Sequence, residues 1–273
     1  MTLAAHPLFD SCGCFHETCA LPPEGLSGAT KNPRLSGFTL IELLVVLAII
    51  AILTSLLLLS ISGVKGSRDL SNAAYTIQGV LEQARTFAMA SSTYTWVGFF
   101  EENPASTGMA GVGQLVISVV TSASGANLVT GTNAPLLPSA SLTQVAKLLR
   151  IPNVHLAVVA TTSVTRPAIA VTTPTDTYQV GSADFPNPAP VSVSTWKFLY
   201  PLTASTTATA QYTFTQIIQF SPQGDATRIA DVPTQFIEIG LQPTHGSTIT
   251  TTGTNFAVIQ VAGIGGQVIT YRP

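Results

Sequence analysis

The sequence predicts an α+β protein in which a long N-terminal helix packs on a mostly antiparallel β-sheet domain. Residues 38–61 are almost wholly apolar and are followed by apolar residues at three- and four-residue intervals, which is typical of one continuous helix. After the helix, short runs rich in β-branched and aromatic residues, bounded by turn formers, indicate strands. We therefore divide the chain into residues 1–37, a helix over 38–91 and a β-rich domain over 92–273.

The apolar segment 38–61 is long enough to cross a lipid bilayer. Its 24 residues would span about 36 Å at the rise of an α-helix, and the hydrocarbon core of a bilayer is about 30 Å thick. Glu42 is its only charged residue. Because an acid at membrane depth is costly unless it is partnered, we expect a partner for Glu42 within a turn or two.

Charges before the apolar segment predict its orientation. Lys31 and Arg34 precede it, and no acid lies between Glu24 and Glu42. Basic flanks remain in the cytoplasm. We therefore expect a single pass through the inner, cytoplasmic membrane, with residues 1–37 inside and the C-terminal domain in the periplasm or outside.

Residues 37–46, Gly-Phe-Thr-Leu-Ile-Glu-Leu-Leu-Val-Val, resemble the cleavage and methylation motif of type IV pilins and type II secretion pseudopilins. The resemblance implies that a prepilin peptidase and methyltransferase removes residues 1–37 by cutting after Gly37, and methylates the new N-terminus at Phe38. It also implies that the apolar helix stays in the mature protein. The expected partners are other pilin-like subunits in a filament, an inner-membrane platform and the lipid bilayer, and no cofactor is expected.

Glu42 has two interpretations, which can hold together. In the first, Thr39 and Glu42 form a capping box that satisfies backbone N–H groups at the start of the helix. In the second, Glu42 pairs with the positively charged amine of Phe38 on a neighbouring subunit, which offsets its burial and sets the axial register of the filament. Thr39 and Glu42 are therefore the candidate assembly residues.

The helix beyond residue 61 is predicted to bury one face against the domain. The apolar stripe comprises Leu70, Ala73, Ala74, Ile77, Val80, Leu81, Ala84, Phe87 and Ala88. Gly63 and Gly66 precede it, and each costs about 1 kcal/mol relative to Ala in a helix interior. We expect a flexible or locally melted point at these glycines.

Eight strands are predicted in the domain. Their ranges are 94–101, 114–121, 154–160, 196–200, 211–220, 235–241, 256–261 and 267–271. Within 211–220, every second residue from Tyr212 to Phe220 belongs to one mostly apolar face. Turns are predicted at 221–224, where Pro and Gly supply the turn chemistry, and at 261–267, which closes the last hairpin.

Two long stretches are rich in small residues, Thr and Pro. They cover residues 103–146, with one strand embedded, and residues 161–195. We interpret them as tolerated insertions in preference to binding loops.

Parts of the domain are also similar to H-type minor pseudopilins and the related fimbrial minor pilins. The similarity covers the helix end at 81–90 with the strand at 94–100, and the closing segments 220–224 and 257–271. It implies a minor subunit near the tip of a short pseudopilus. Many major pilins carry a proline inside the apolar helix, whereas none occurs between Phe38 and Trp96.

Catalysis, metal binding and nucleic-acid binding have little support. The groups considered are Cys12, Cys14, His16 and Cys19 before the helix, His155, His245, Asp225 and Asp231. The spacing of the three cysteines and His16 matches no common zinc pattern. The two separated acids, Asp225 and Asp231, supply too few oxygen ligands for calcium. No hydrolase, metalloprotease or nucleotide-binding motif occurs. The net charge is -2, and the bases are scattered, so no nucleic-acid partner is expected.

We therefore predict a non-enzymatic structural subunit, namely a minor pseudopilin of a type II secretion pseudopilus that supports protein export. Two alternatives remain open. The chain could be a minor pilin of a type IV pilus serving adhesion, motility or DNA uptake. It could also be a membrane-anchored domain that displays its Thr- and Ser-rich loops to a ligand.

Overall fold

A computed structural model shows an α+β protein, as the sequence predicts. It describes residues 37–128, 136–160, 164, 166, 177–181, 196–228, 235–250 and 255–273. For residues 56–64, 177 and 178 it describes the backbone but not the side chains. The expected leader with its cysteines, Asp231 and most of the stretch 161–195 lie outside the described residues.

The chain divides into two units, one ending at Ala51 and the other beginning at Ile52. In the first unit the described residues form the beginning of helix α1, Leu40–Ala90. Side chains 37–51 are all exposed. The sequence predicts a membrane span over 38–61, but no helix in the part of the chain that the structure describes is both long and apolar enough to cross a membrane.

In the second unit, α1 confirms the predicted stripe and corrects the predicted weak point. The helix continues without a break through Gly63 and Gly66, because extending a formed helix costs far less than starting a new one. Of the nine stripe residues, seven are buried, and Val80 and Phe87 are half-buried. The stripe faces the core, as its spacing predicts.

Thirteen strands are present among the described residues. Their bounds are β1 Thr95–Glu102, β2 Gly113–Ser122, β3 Leu142–Gln144, β4 Leu149–Leu156, β5 Thr177–Val180, β6 Phe198–Tyr200, β7 Tyr212–Phe214, β8 Gln216–Phe220, β9 Ala226–Thr227, β10 Phe236–His245, β11 Thr248–Ile249, β12 Ala257–Ala262 and β13 Val268–Tyr271. The main sheet has the order β13-β12-β10-β4-β2-β1-β8-β9, with β3, β5 and β11 attached beside it. All its pairs are antiparallel except β5 with β10. A second sheet contains β6 and β7.

Strand β4 begins five residues before the predicted range 154–160 and ends earlier. Pro152 lies inside it, next to Asn153, whose φ is +62°. The register against β2 shifts at this point, so Pro152 is accommodated at a bulge. A proline argues against a central strand, which is why the sequence places the strand too late.

The predicted strand 211–220 is two strands that belong to different sheets. It breaks at exposed Thr215. Tyr212 and Phe214 pack in the same hydrophobic cluster as Phe198 of β6. Ile218 and Phe220 pack in the cluster that contains the buried face of α1. The prediction of a single face was therefore wrong, because the chain changes sheets between the two halves. The turn at 221–224 is confirmed by a hydrogen bond from the Gly224 N–H to the Ser221 carbonyl at 2.9 Å.

The main sheet separates two hydrophobic clusters. We call the cluster on the helix side the α1 core; it includes Val97 and Ile77. The other, which we call the aromatic core, includes Trp96 and the β6–β7 side chains Phe198 and Phe214. Alternation along β1 sends neighbouring side chains to opposite cores, as a pleated strand requires.

Two glycines provide a test of this packing. An alanine Cβ at Gly79 on α1 would meet no atom within 4 Å, whereas one at Gly240 on β10 would lie 2.1 Å from the Ala157 carbonyl oxygen. We expect Gly79→Ala to raise the free energy of unfolding by about 0.5–1 kcal/mol. Gly240→Ala should lower it by about 1–3 kcal/mol. Urea unfolding of the full chain in detergent measures both, and the same sign for both variants would contradict this packing.

Candidate functional site

Helix α1 begins with hydrogen bonds that close between Thr39 and Glu42. The Thr39 backbone N–H and hydroxyl donate to Glu42 Oε2 at 2.8 and 2.9 Å. In return, the Glu42 backbone N–H donates to Thr39 Oγ1 at 3.3 Å. This is the reciprocal pattern of a capping box, so the first interpretation of Glu42 is realised in the structure.

The capping box uses only one of the two carboxylate oxygens of Glu42. Among the residues that the structure describes, none donates a hydrogen bond to Oε1. A carboxylate accepts hydrogen bonds at both oxygens. Glu42 can therefore cap its own helix through Oε2 and accept a cationic donor through Oε1, so the second interpretation is chemically compatible with the first.

The side chains around Glu42 form an exposed apolar surface. Ile41, Leu43 and Leu44 are each more than half exposed. Glu42 also lies in the first turn of α1, where the helix dipole favours a negative charge. The start of α1 thus combines one carboxylate with an apolar surface that the described part of this chain leaves uncovered.

Gly37 and Phe38 lie directly before the helix, outside any regular secondary structure. Apart from its two chain neighbours, no described residue has an atom within 4 Å of a Cβ built on Gly37, and 84% of Phe38 is exposed. No side chain in the described part of the protein therefore covers the predicted cleavage junction.

Two of the other candidates considered from the sequence, His155 and Asp225, are held in ordinary interactions within the domain. His155 Nδ1 lies 2.7 Å from Glu101 Oε1, which also accepts the Leu156 N–H at 3.1 Å. Asp225 accepts the Gly265 N–H at 2.8 Å, and His245 is exposed at the end of β10. Within the described ranges, no three His, Cys, Asp or Glu side chains are grouped to hold a metal ion.

Sequence reasoning missed two polar clusters inside the domain. One joins Glu102, Arg150 and Tyr212, and the other joins Arg166 and Glu238. Their members are far apart in the chain; Tyr212 and Glu102 are separated by 110 positions. No local spacing signals such a pair, and only the folded chain shows it.

The comparisons with known proteins bear on the N-terminal segment. Residues 33–58 match the family model described as the prokaryotic N-terminal methylation motif. The matched segment contains the junction at Gly37 and Phe38 and the capping box of Thr39 and Glu42. Neither the curated proteins nor the solved structures include a match to the chain. This match identifies a prepilin-type N-terminal motif in the chain, and the motif supports a relationship to the type IV pilin and pseudopilin family.

Proposed function

We propose that this protein is a minor pseudopilin, assembled through α1 and Glu42 into a type II secretion pseudopilus that supports protein export. One observation carries the proposal. The methylation motif at residues 33–58 contains the exposed apolar start of α1, and Glu42, the only charged residue over 38–61, keeps one carboxylate oxygen free of its own capping box.

Cleavage after Gly37 would create a cationic partner for the Glu42 carboxylate. The new N-terminus at Phe38 is an amine, which stays positively charged at neutral pH even when it carries one methyl group. Neighbouring subunits could then pair Phe38 of one with Glu42 Oε1 of another. A charge pair in an apolar surrounding is tolerated only with good geometry and satisfied hydrogen bonds, and the capping box holds the carboxylate in place.

The exposed apolar start of α1 also requires a covering. Before assembly this role falls to the lipid of the inner membrane, with the chain anchored by a single pass over about residues 38–61. In the filament, helices of other pilin-like subunits replace the lipid. The absence of proline from this helix and the resemblance of residues 81–90 to H-type subunits support a minor pseudopilin in preference to a major pilin.

Processing is the first test of this proposal. Mass spectrometry of the protein purified from its native membranes should find a mature chain that begins with N-methylated Phe38. Gly37→Val should leave residues 1–37 attached, because the branched side chain obstructs the open junction. Ser36→Ala, one position away, is the matched control and should be processed normally. A native chain that keeps residues 1–37 would contradict the proposal.

A second experiment separates secretion from pilus assembly. Crosslinking in membranes, followed by purification of the full chain, should recover pilin-like subunits together with components of a secretion system. Recovery with a surface pilus instead would assign the chain to a type IV pilus. Recovery of the processed chain without any pilin-like subunit would favour a membrane-anchored binding domain.

A further inference from the structure

An open groove of about 550 Å³ lies beside the aromatic core. It is lined by the segment 144–148 between β3 and β4, by Arg150 on β4 and by Tyr200 at the end of β6. Two of these side chains, Lys147 and Arg150, are cationic, and none is acidic. The groove therefore favours an anionic ligand.

Arg150 is held in one orientation by buried partners. Its Nη2 donates to the Tyr212 hydroxyl at 2.8 Å, and its Nε lies 3.6 Å from Glu102 Oε2. The guanidinium carbon lies 5.8 Å from the centre of the Tyr212 ring. Nε and Nη2 lie along one edge of the planar guanidinium, so these two contacts fix the side chain. The outer edge, between Nη1 and Nη2, is not needed for this.

The partners of Arg150 are themselves satisfied. Tyr212 donates its hydroxyl hydrogen to Glu102 Oε1 at 2.9 Å, and Gly108 donates its backbone N–H to the same oxygen. Burial raises the pKa of Tyr212, so its hydroxyl keeps the proton that it donates. The hydrogen bond that Arg150 donates to the Tyr212 hydroxyl raises the pKa of Arg150, which stays charged. Glu102 thus anchors the loop after β1 and neutralises only the inner side of Arg150.

The outer edge of Arg150 is open to a ligand. No described residue accepts a hydrogen bond from Nη1, and 42% of the side chain is exposed. A guanidinium edge with two parallel N–H groups matches the two oxygens of a carboxylate. The exposed ammonium of Lys147 adds a second, adjustable positive charge to the same groove.

The remaining lining indicates what carries the carboxylate. The half-buried Tyr200 offers an aromatic ring, and Gln144 offers an amide that both donates and accepts. The C–H face of a sugar ring packs on an aromatic face, and its hydroxyls suit an amide.

We propose that this groove binds a uronate residue of an acidic polysaccharide, with the carboxylate on Arg150 and Lys147 and the sugar ring on Tyr200. Such a polymer would be met outside the cytoplasm, so the biological setting rests on the proposed export of the domain. The binding itself does not depend on processing or assembly, and a binding experiment in vitro can fail without affecting the proposed function.

Calorimetric titration of the full chain in detergent tests the proposal. Trigalacturonate should bind saturably, and the neutral galactose trimer should bind at least about tenfold more weakly, because it lacks the bidentate carboxylate. Arg150→Lys should weaken trigalacturonate binding about tenfold, since it keeps the charge facing Glu102 but loses the planar edge. Lys147→Ala should weaken it severalfold. Arg68→Ala, an exposed base on α1, is the matched control and should bind like the wild type.

Three results would overturn this assignment. The first is equal affinity for the charged and neutral trimers. The second is binding by Lys147→Ala and Arg150→Lys that equals the control, measured on variants whose thermal unfolding matches the wild type. The third is tighter binding of triglutamate or inorganic phosphate than of trigalacturonate, which would assign the groove to a peptide or a phosphate.

Discussion

Glu42→Gln is expected to remove most of this protein from the filament while leaving the start of α1 intact. The glutamine amide keeps an oxygen that can accept the two hydrogen bonds from Thr39. It loses the negative charge that would pair with the Phe38 amine of a neighbour, which then remains buried without compensation. The fraction of subunits in sheared filaments should fall by about tenfold or more.

Thr39→Val supplies the complementary control. It removes the hydroxyl that donates to Glu42 Oε2 and accepts the Glu42 N–H, yet it keeps the charge of Glu42. We expect a weaker helix start, by about 1 kcal/mol for a lost cap, with incorporation largely retained. Normal assembly of Glu42→Gln together with failure of Thr39→Val would show that capping, not charge pairing, is what assembly requires.

The helix and its buried face follow from the sequence because both depend on residues close together in the chain. Leu70, Ile77 and Leu81 repeat with the period of a helix, and all three are fully buried. The capping box likewise needs only the spacing from Thr39 to Glu42. The predicted weak point at Gly63 and Gly66 was wrong because local propensity is smaller than the gain from continuing an established helix.

The sheet follows from the sequence only in part, because strand pairing depends on distant residues. Strands β1, β2, β10, β12 and β13 are long or well patterned, and the predicted ranges overlap them. Strands β9 and β11 have two residues each, too few for a period to appear. At Thr215 the chain leaves one sheet for another, and no composition change marks that step.

The same limit applies to the candidate functional residues. Gly37, Phe38, Thr39 and Glu42 are neighbours in the chain, so a motif can carry them. The groove at Arg150 depends on Tyr200, which is 50 positions away, and on a strand pairing that no local pattern specifies. The stretch 103–146, interpreted from sequence as a tolerated insertion in preference to a binding loop, contributes Gln144, Val145 and Ala146 to that groove.

Arg166 and Glu238 form the most buried ion pair among the described residues, and removing one partner should have the largest effect on stability. The Arg166 Nε and Nη2 donate to Glu238 Oε1 and Oε2 at 2.7 and 2.9 Å. Only 1% and 3% of the two side chains are exposed. Amide groups of Gln179 and Gln260 donate to the same carboxylate at 3.1 and 3.2 Å, so every oxygen of Glu238 is engaged.

This pair also connects Arg166 and the chain after β4 to Glu238 on β10. Arg166 donates through Nη2 to the Val159 carbonyl at 3.0 Å, and Gln179 lies on β5, which pairs with β10 at Glu238. Arg166→Met keeps much of the side-chain volume but leaves the Glu238 carboxylate buried without a cation. We expect it to lower the free energy of unfolding by about 3–5 kcal/mol, measured by urea unfolding of the full chain in detergent.

Two further variants distinguish loss of charge compensation from loss of packing. Arg166→Met combined with Glu238→Leu removes both charges, and it should recover much of the lost stability because a buried pair is often replaceable by apolar residues. Glu82→Gln breaks the partly exposed pair with Arg85 on α1, and it should cost under about 0.5 kcal/mol because solvent screens that pair. If Arg166→Met lowers the free energy of unfolding no more than Glu82→Gln does, the buried pair contributes little to stability. If the double variant is as unstable as Arg166→Met, packing around Arg166 matters more than its charge.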